Sequence, residues 1–288
     1  MAAAVQSPVV RPGTVSDLEA IIAIAKATGQ DEDWDHVYPA YIGHLLRHGR
    51  LLVAERERAV TGFGATLRIG SGPHAIAMLT DLFVNPAAHG SGTGRALLSR
   101  LWEDEARKMT FSSLHAHALP LYTSFGVDAW WPLLYLRGDV RALRMPDRWS
   151  VSAAGTDVVS TLERDWTGTG REAEHQMWAR WPAGTGIVAS LDGDPYAAGT
   201  VGGAGSEYGI SHLAVRPGDG DIARDAVLAV LASLDPPGGQ ARACLPAPHP
   251  ATRSLLAAGW RVEEFDLFMA SHFGLIDARR MVPSPALA

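Results

Sequence analysis

The chain has 288 residues, 47% of them hydrophobic and 19% charged, with a formal net charge of −6. That length suits about two domains of ~100–150 residues or one large one, and the acidic balance speaks against nucleic acid or an anionic membrane as the main partner. Cys244 is the sole cysteine, which excludes an intrachain disulfide and any zinc site built from several cysteines.

In chain order, the first half predicts a short strand at 9–11. Thr14 or Ser16 then caps a helix whose apolar residues recur at Leu18, Ile21, Ile22 and Ile24. The acidic run Asp31-Glu32-Asp33-Trp34-Asp35 leads into a second helix through Leu46. Strands follow at 50–55, 62–67 and 75–84, the last two separated by Gly70-Ser71-Gly72-Pro73. A helix at 94–109, a strand at 111–115, a short helix at 118–125 and a strand pair at 130–136 complete this half. The second half reads in the same order: helices at 158–166 and 171–181, and strands at 186–191, 197–201 and 210–215. A helix at 221–234, a strand at 241–245, a helix at 251–258 and a strand at 263–269 follow. Ser211-His212-Leu213-Ala214-Val215-Arg216-Pro217 echoes Thr80-Asp81-Leu82-Phe83-Val84-Asn85-Pro86, and the segment 251–260 echoes 118–127. An internal repeat of this length means two copies of one unit. The boundary is placed at 147/148, giving units of 1–147 and 148–288, with an irregular tail from Ser271.

Residues 79–98 carry the strongest local signal. An apolar run ends at Pro86, the turn His89-Gly90-Ser91-Gly92-Thr93-Gly94 follows, and a helical pattern starts at Arg95. A strand, a glycine-rich turn and a helix N-terminus make a place where backbone N–H groups can face a pyrophosphate. The pairs Gly168/Gly170 and Gly184/Gly186 lack that setting and read as turns. Trp178 and Trp181 read as packing. Asp81 sits mid-strand between apolar neighbours, where an unpaired carboxylate is costly and burial raises its pKa. His115 and His117, two apart, would share one face of a strand, but no third ligand is in view and no metal is expected.

These residues resemble the GNAT superfamily of acyl-CoA-dependent N-acyltransferases. The family signature Arg/Gln-x-x-Gly-x-Gly/Ala matches His89-Gly90-Ser91-Gly92-Thr93-Gly94, with His89 in the Arg/Gln place. A second signature, Asn-x-x-Ala-x-x-Leu-Tyr-x-x-x-Gly-Phe, matches His115 to Val127, with His115 for Asn and Val127 for Phe. The likeness covers about residues 9–137 well and 150–270 as a degraded copy. It implies an α/β (mixed α+β) protein of two tandem GNAT-like domains, each with a mixed, mostly antiparallel central sheet flanked by helices. It further implies transfer of acetyl from acetyl-CoA to the amine of a small molecule by direct attack. The pyrophosphate would lie on His89, Gly90, Ser91, Gly92, Thr93, Gly94 and Arg95, with His115 beside the cofactor and pantetheine along Leu82, Phe83 and Val84. Tyr122 is the implied general acid and Asp81 the candidate base. Asp33, Trp34 and Asp35 are candidates for receiving a cationic amine, or simply a solvated loop.

In the second half, Asp219 and Asp221 stand where the pyrophosphate would bind, and Leu255 stands in the tyrosine place. The N-terminal half is therefore expected to be catalytic and the other structural. Pseudo-twofold packing of the two would let the chain act as a monomer. A non-catalytic acyl-CoA-binding sensor or accessory protein is the alternative. The N-terminal segment lacks a basic region with a long apolar core, and no apolar run approaches ~20 residues, so the expectation is a cytoplasmic protein without a membrane span.

Overall fold

The computed structural model describes residues 7–29, 38–203 and 208–287. The first half forms β1 (Val9–Pro12), α1 (Leu18–Ala27), α2 (Tyr38–His48), β2 (Arg50–Arg56) and β3 (Ala59–Ile69). It continues with β4 (Ile76–Val84), α3 (Thr93–Leu101), β5 (Lys108–Ser112), α4 (Ala118–Thr123) and β6 (Asp128–Asp139). The second half repeats that order as β7 (Trp149–Ala154), α5 (Thr156–Thr167), α6 (Glu172–Trp178), β8 (Thr185–Leu191) and β9 (Asp194–Gly202). Then come β10 (Gly209–Val215), α7 (Gly220–Ser233), β11 (Gln240–Pro246), α8 (Pro250–Ala257), β12 (Arg261–Ala270) and an added β13 (Met281–Val282).

The elements correct several sequence expectations. The helix expected at 94–109 stops at Leu101, because Asp104 takes a left-handed conformation (φ 61°) that turns the chain, and Lys108 and Met109 enter β5 instead. The strand pair expected at 130–136 is one twelve-residue strand, β6. β7, where no strand was expected, begins just past the expected boundary. The tail from Ser271 is not simply irregular. β13 pairs with β10, and Leu287 is buried among the first-half helices.

One sheet runs through the described residues in the order β1-β2-β3-β4-β5-β12-β6-β11-β10-β9-β8-β7, with β13 on β10. Pairing is antiparallel except for β4–β5 and β10–β11. Its centre is an exchange. β12 lies between β5 and β6, while β6 lies between β12 and β11. Each half thus gives one strand to the other, β6 from the first and β12 from the second, and the two donated strands pair side by side. The sequence suggested two units packed about a pseudo-twofold, and the register makes the halves interleave.

Helices cover both faces. On one, Ile21, Ile42 and Leu45 of α1 and α2 pack on Val53, Phe63 and Ala65. On the other, Leu97, Leu98 and Leu101 of α3 and Tyr122 of α4 pack on Leu52 and Leu79. In α3 these leucines fall on one side at helical spacing while Arg95 and Arg100 face solvent, the amphipathic pattern that seats a helix on a sheet. No helix among the described residues is long and apolar enough to cross a membrane.

Candidate active site

The site begins with a gap in the sheet. β4 pairs with β3 as far as Val84, but with β5 only at Ala77, Met78 and Leu79. Thr110 Oγ1 donates to the Leu79 carbonyl at 3.0 Å, and beyond that point the two parallel strands part. The edge of β4 from Thr80 to Val84 that faces β5 is left without a strand partner among the described residues. An open edge of this kind can take an extended chain by adding hydrogen bonds.

A bulge sets the side chains around that gap. Leu79 pairs with Thr66 and Asp81 with Ala65, so Thr80 is an extra residue. Leu79 therefore stays on the α3/α4 face, whereas Asp81 turns to the α1/α2 face with Ala65. There the Tyr41 hydroxyl donates to Asp81 Oδ2 at 2.6 Å and Thr80 Oγ1 donates at 2.8 Å. Burial pushes the Asp81 carboxyl up to about 6, although these two hydrogen bonds favour its charged form. Tyr122 comes from α4 on the opposite face and is 8% exposed. Its hydroxyl has no hydrogen-bond partner among the described residues. Burial, then the carboxylates of Asp81 and Asp266, push its pKa upward, so it is a protonated donor at neutral pH.

The glycine-rich turn follows the open edge. Gly90 (φ 73°) and Gly92 (φ 83°) both adopt left-handed conformations that side chains rarely take, and Gly92 caps α3. Ser91 Oγ contacts Thr93 Oγ1 at 2.8 Å, and the Arg56 guanidinium braces the turn by donating to the Ser91 carbonyl at 2.7 Å. The amides of His89 and Ser91 are already bonded to Pro86 and Ala88. Those of Gly90, Gly92, Thr93, Gly94 and Arg95 have no backbone acceptor among the described residues, so the anion-facing set is narrower than the motif suggested. The His89 ring contacts the Val84 carbonyl at 3.0 Å rather than facing the turn. His115 and His117 sit in the loop after β5, not on a strand, because β5 ends at Ser112. Their rings lie 5.4 Å apart, and each lies 6.1–6.4 Å from the His89 ring. Leu82, Phe83 and Val84 lie on the part of β4 beyond its pairing with β5. Asp33, Trp34 and Asp35 lie outside the described residues.

The corresponding gap in the second half is filled. β10 and β11 pair in parallel only at Gly209–Ile210, and β13 then adds to β10 at Leu213 and Ala214. The other edge of these residues is taken by β9, so β13 occupies the edge matching the open edge of β4. Asp219 caps α7 by accepting from the amides of Asp221 and Ile222, and Leu255 is buried. The bulge recurs, with Ile210 opposite Val201 and His212 opposite Thr200. His212 stands in the place of Asp81, but it is fully buried and contacts Glu163 at 2.9 Å. Glu163 also meets Arg171, and contacts His175 at 3.0 Å. Burial alone would raise the Glu163 carboxyl, but Arg171 and His212 hold it well below the usual carboxylate range. Burial pushes His212 down to about 4.

Two residues near the first gap escaped the sequence reading. Tyr41 sits in helical register with Ile42 and Leu45 and looked like core. Asp266 lies in Asp266-Leu267-Phe268, the same triplet as Asp81-Leu82-Phe83, and that recurrence was a usable signal.

Comparison with known proteins accords with this geometry. Residues 47–127 match the family model described as an acetyltransferase (GNAT) domain. No curated protein matches the sequence. Among solved structures, a candidate acetyltransferase from Pyrococcus horikoshii superposes with TM-score 0.72 at 14% identity, covering 98% of this chain and 95% of that one. A GCN5-related N-acetyltransferase from Anabaena variabilis gives 0.64 at 13% identity, with 94% and 75% covered. A tandem GNAT protein from the clavulanic acid biosynthesis pathway gives 0.55 at 13% identity, with 92% and 98% covered. The family match thus lies within the first half, at residues 47–127. Across its length the chain has the fold of GNAT acetyltransferase structures, including a tandem one.

Proposed function

We propose that the protein is an acetyl-CoA-dependent N-acetyltransferase acting on an amine of a small molecule, with residues 1–147 as the catalytic unit and 148–288 as a supporting one. The observation that carries this reading is the open edge of β4. It leads into a braced turn with free amides, and Asp81 and Tyr122 reach it from opposite faces. When bound, acetyl-CoA supplies a thioester carbonyl open to nucleophilic attack. The amides of Gly90, Gly92, Thr93, Gly94 and Arg95 would hold its pyrophosphate, and the β4 edge from Leu82 to Val84 its pantetheine arm.

Asp81 accepts a proton as the acceptor ammonium becomes a neutral amine, a task suited to a carboxyl held at about 6. The amine nitrogen would then bond to the carbonyl carbon and the carbon–sulfur bond break, Tyr122 giving its proton to the departing thiolate and regaining one from the nitrogen as it becomes the amide. A main-chain N–H group on the β4 edge would stabilise the oxyanion. The plug of β13 and the acidic cap at Asp219 support one cofactor per chain. The strand exchange supplies within one chain the interface a dimer would give, which supports a monomer.

Calorimetric titration of acetyl-CoA into wild type and Gly92→Asp tests the reading. One equivalent is expected to bind wild type, and binding should be lost when a carboxylate replaces the N-cap glycine. Two equivalents would refute the assignment of the second half, and no binding would refute the reading. Binding with no thiol release across an amine panel would leave a sensor.

A further inference from the structure

β12 brings residues of the second half into the first half's gap. It runs antiparallel to β5, and their pairing ends at Leu267–Ser112. Residues 261–266 thus extend past the end of β5, toward the region where β4 also runs without a partner. There they remain held by β6 alone, with Asp266 opposite Leu133 and Glu264 opposite Tyr135. Residues 261–265 are exposed although their strand is central to the sheet. Opposite residues of an antiparallel pair share a face, so Glu264, Asp266 and Tyr135 lie on one side. The Tyr135 hydroxyl donates to Asp266, and Arg242 lies over the Tyr135 ring at 4.9 Å. Tyr122 supplies the link to the reacting centre. Its hydroxyl lacks a hydrogen-bond partner among the described residues and feels the carboxylates of both Asp81 and Asp266. Neither carboxylate has an ion-pair partner among the described residues.

We propose that the acceptor site is built by both halves, with Asp266 on the exchanged strand binding the second cationic group of a diamine-type acceptor while Asp81 faces the amine that reacts. This rests on the acetyltransferase reading. Two carboxylates about one uncharged hydroxyl leave a negative field that Arg242 offsets only in part at Asp266, and an acceptor with two ammonium groups answers it where a monoamine answers only half. Glu264, exposed beside Asp266, adds to that field, and Glu263 is turned to Arg137 at 2.6 Å. Asp266 is a binding residue here, and its effect belongs in acceptor affinity.

The test is calorimetry of putrescine and of butylamine into CoA-saturated protein, for wild type, Asp266→Asn and Asp266→Glu. Wild type is expected to bind putrescine about tenfold tighter than butylamine, the effect of one close charge pair. Asp266→Asn should abolish the difference and Asp266→Glu should retain it, which separates lost charge from lost fold. Equal affinities in wild type, absence of amine binding, or a preference that survives Asp266→Asn would each overturn the proposal. The CoA titration that precedes each run separates the two failures. CoA binding without amine discrimination overturns this inference alone, and no CoA binding overturns the acetyltransferase reading with it.

Discussion

At the residue scale, Asp81 and Tyr122 are opposite uses of burial. Desolvation disfavours the charged form of each, which leaves a carboxyl that titrates near neutrality and a phenol that stays protonated. Ionising Asp81 inside the fold costs about 3 kcal/mol more than in the unfolded chain. The folded carboxyl binds its proton more tightly than the unfolded one. Its stabilising contribution is therefore complete below about pH 4 and is lost as pH rises through about 6. Asp81→Asn is expected to stabilise the protein by about 1–3 kcal/mol at pH 7–8 and by nothing below pH 4. Urea melts at several pH values would show a flat difference if the carboxyl were not raised. With Asp81 as base, the kcat/KM profile should climb through about pH 6, and Asp81→Asn should remove that limb. Tyr122→Phe keeps the packing against Leu79 and loses the proton. Turnover should fall by about 10²-fold or more with acetyl-CoA affinity unchanged, and thiol-release kinetics at wild-type rates would refute its role as acid.

At the element scale, the two halves show one unit kept open and one closed. Both strands β4 and β10 carry a bulge one residue before the inward-turned side chain, Asp81 in one and His212 in the other. In the first half the bulge aims a raised carboxyl at a gap. In the second it aims a neutral histidine into a buried cluster of Glu163, Arg171 and His175, with Trp178 stacked on the His212 ring at 5.4 Å. Taking away the anion leaves the Arg171 guanidinium buried without its counter-charge, so Glu163→Ala is expected to cost about 3–5 kcal/mol. A thermal melt within 1 kcal/mol of wild type, at the order of a surface change, would mean that the cluster is dispensable. Acetyl-CoA stoichiometry should not change in that variant, because the second gap is closed by β13 and not by the cluster.

At the scale of the whole molecule, the exchange of β6 and β12 removes the independence that a tandem sequence suggests. Without β12, β5 would lose the partner on its outer edge, and without β11 and β12, β6 would have none. Leu287 and the α6 residues Met177 and Trp178 also complete the core under α1 and α2, and His44 of α2 contacts Glu174 of α6 at 3.1 Å. The fragment 1–147 is expected not to fold as a monomer, and the full chain should melt in one cooperative transition. Two resolved calorimetric transitions, or a folded monomeric fragment by circular dichroism and sedimentation, would contradict this.

The sequence by itself determined the local units and the chemistry of the turn. Apolar periodicity, glycines at positions that need positive φ, and the acidic cap at Asp219 are all properties of neighbouring residues, so the order of elements and the turn at 89–94 could be read directly. The repeat was legible too, down to Leu255 in the tyrosine place. Tertiary structure decided what depends on distant pairing. The exchange of β6 and β12, the seat of β13 in the second gap and the contact of Tyr41 with Asp81 join residues dozens to more than a hundred positions apart. Strand register across such distances is set by which edges remain unpaired once the whole sheet has formed, and no local pattern carries that information.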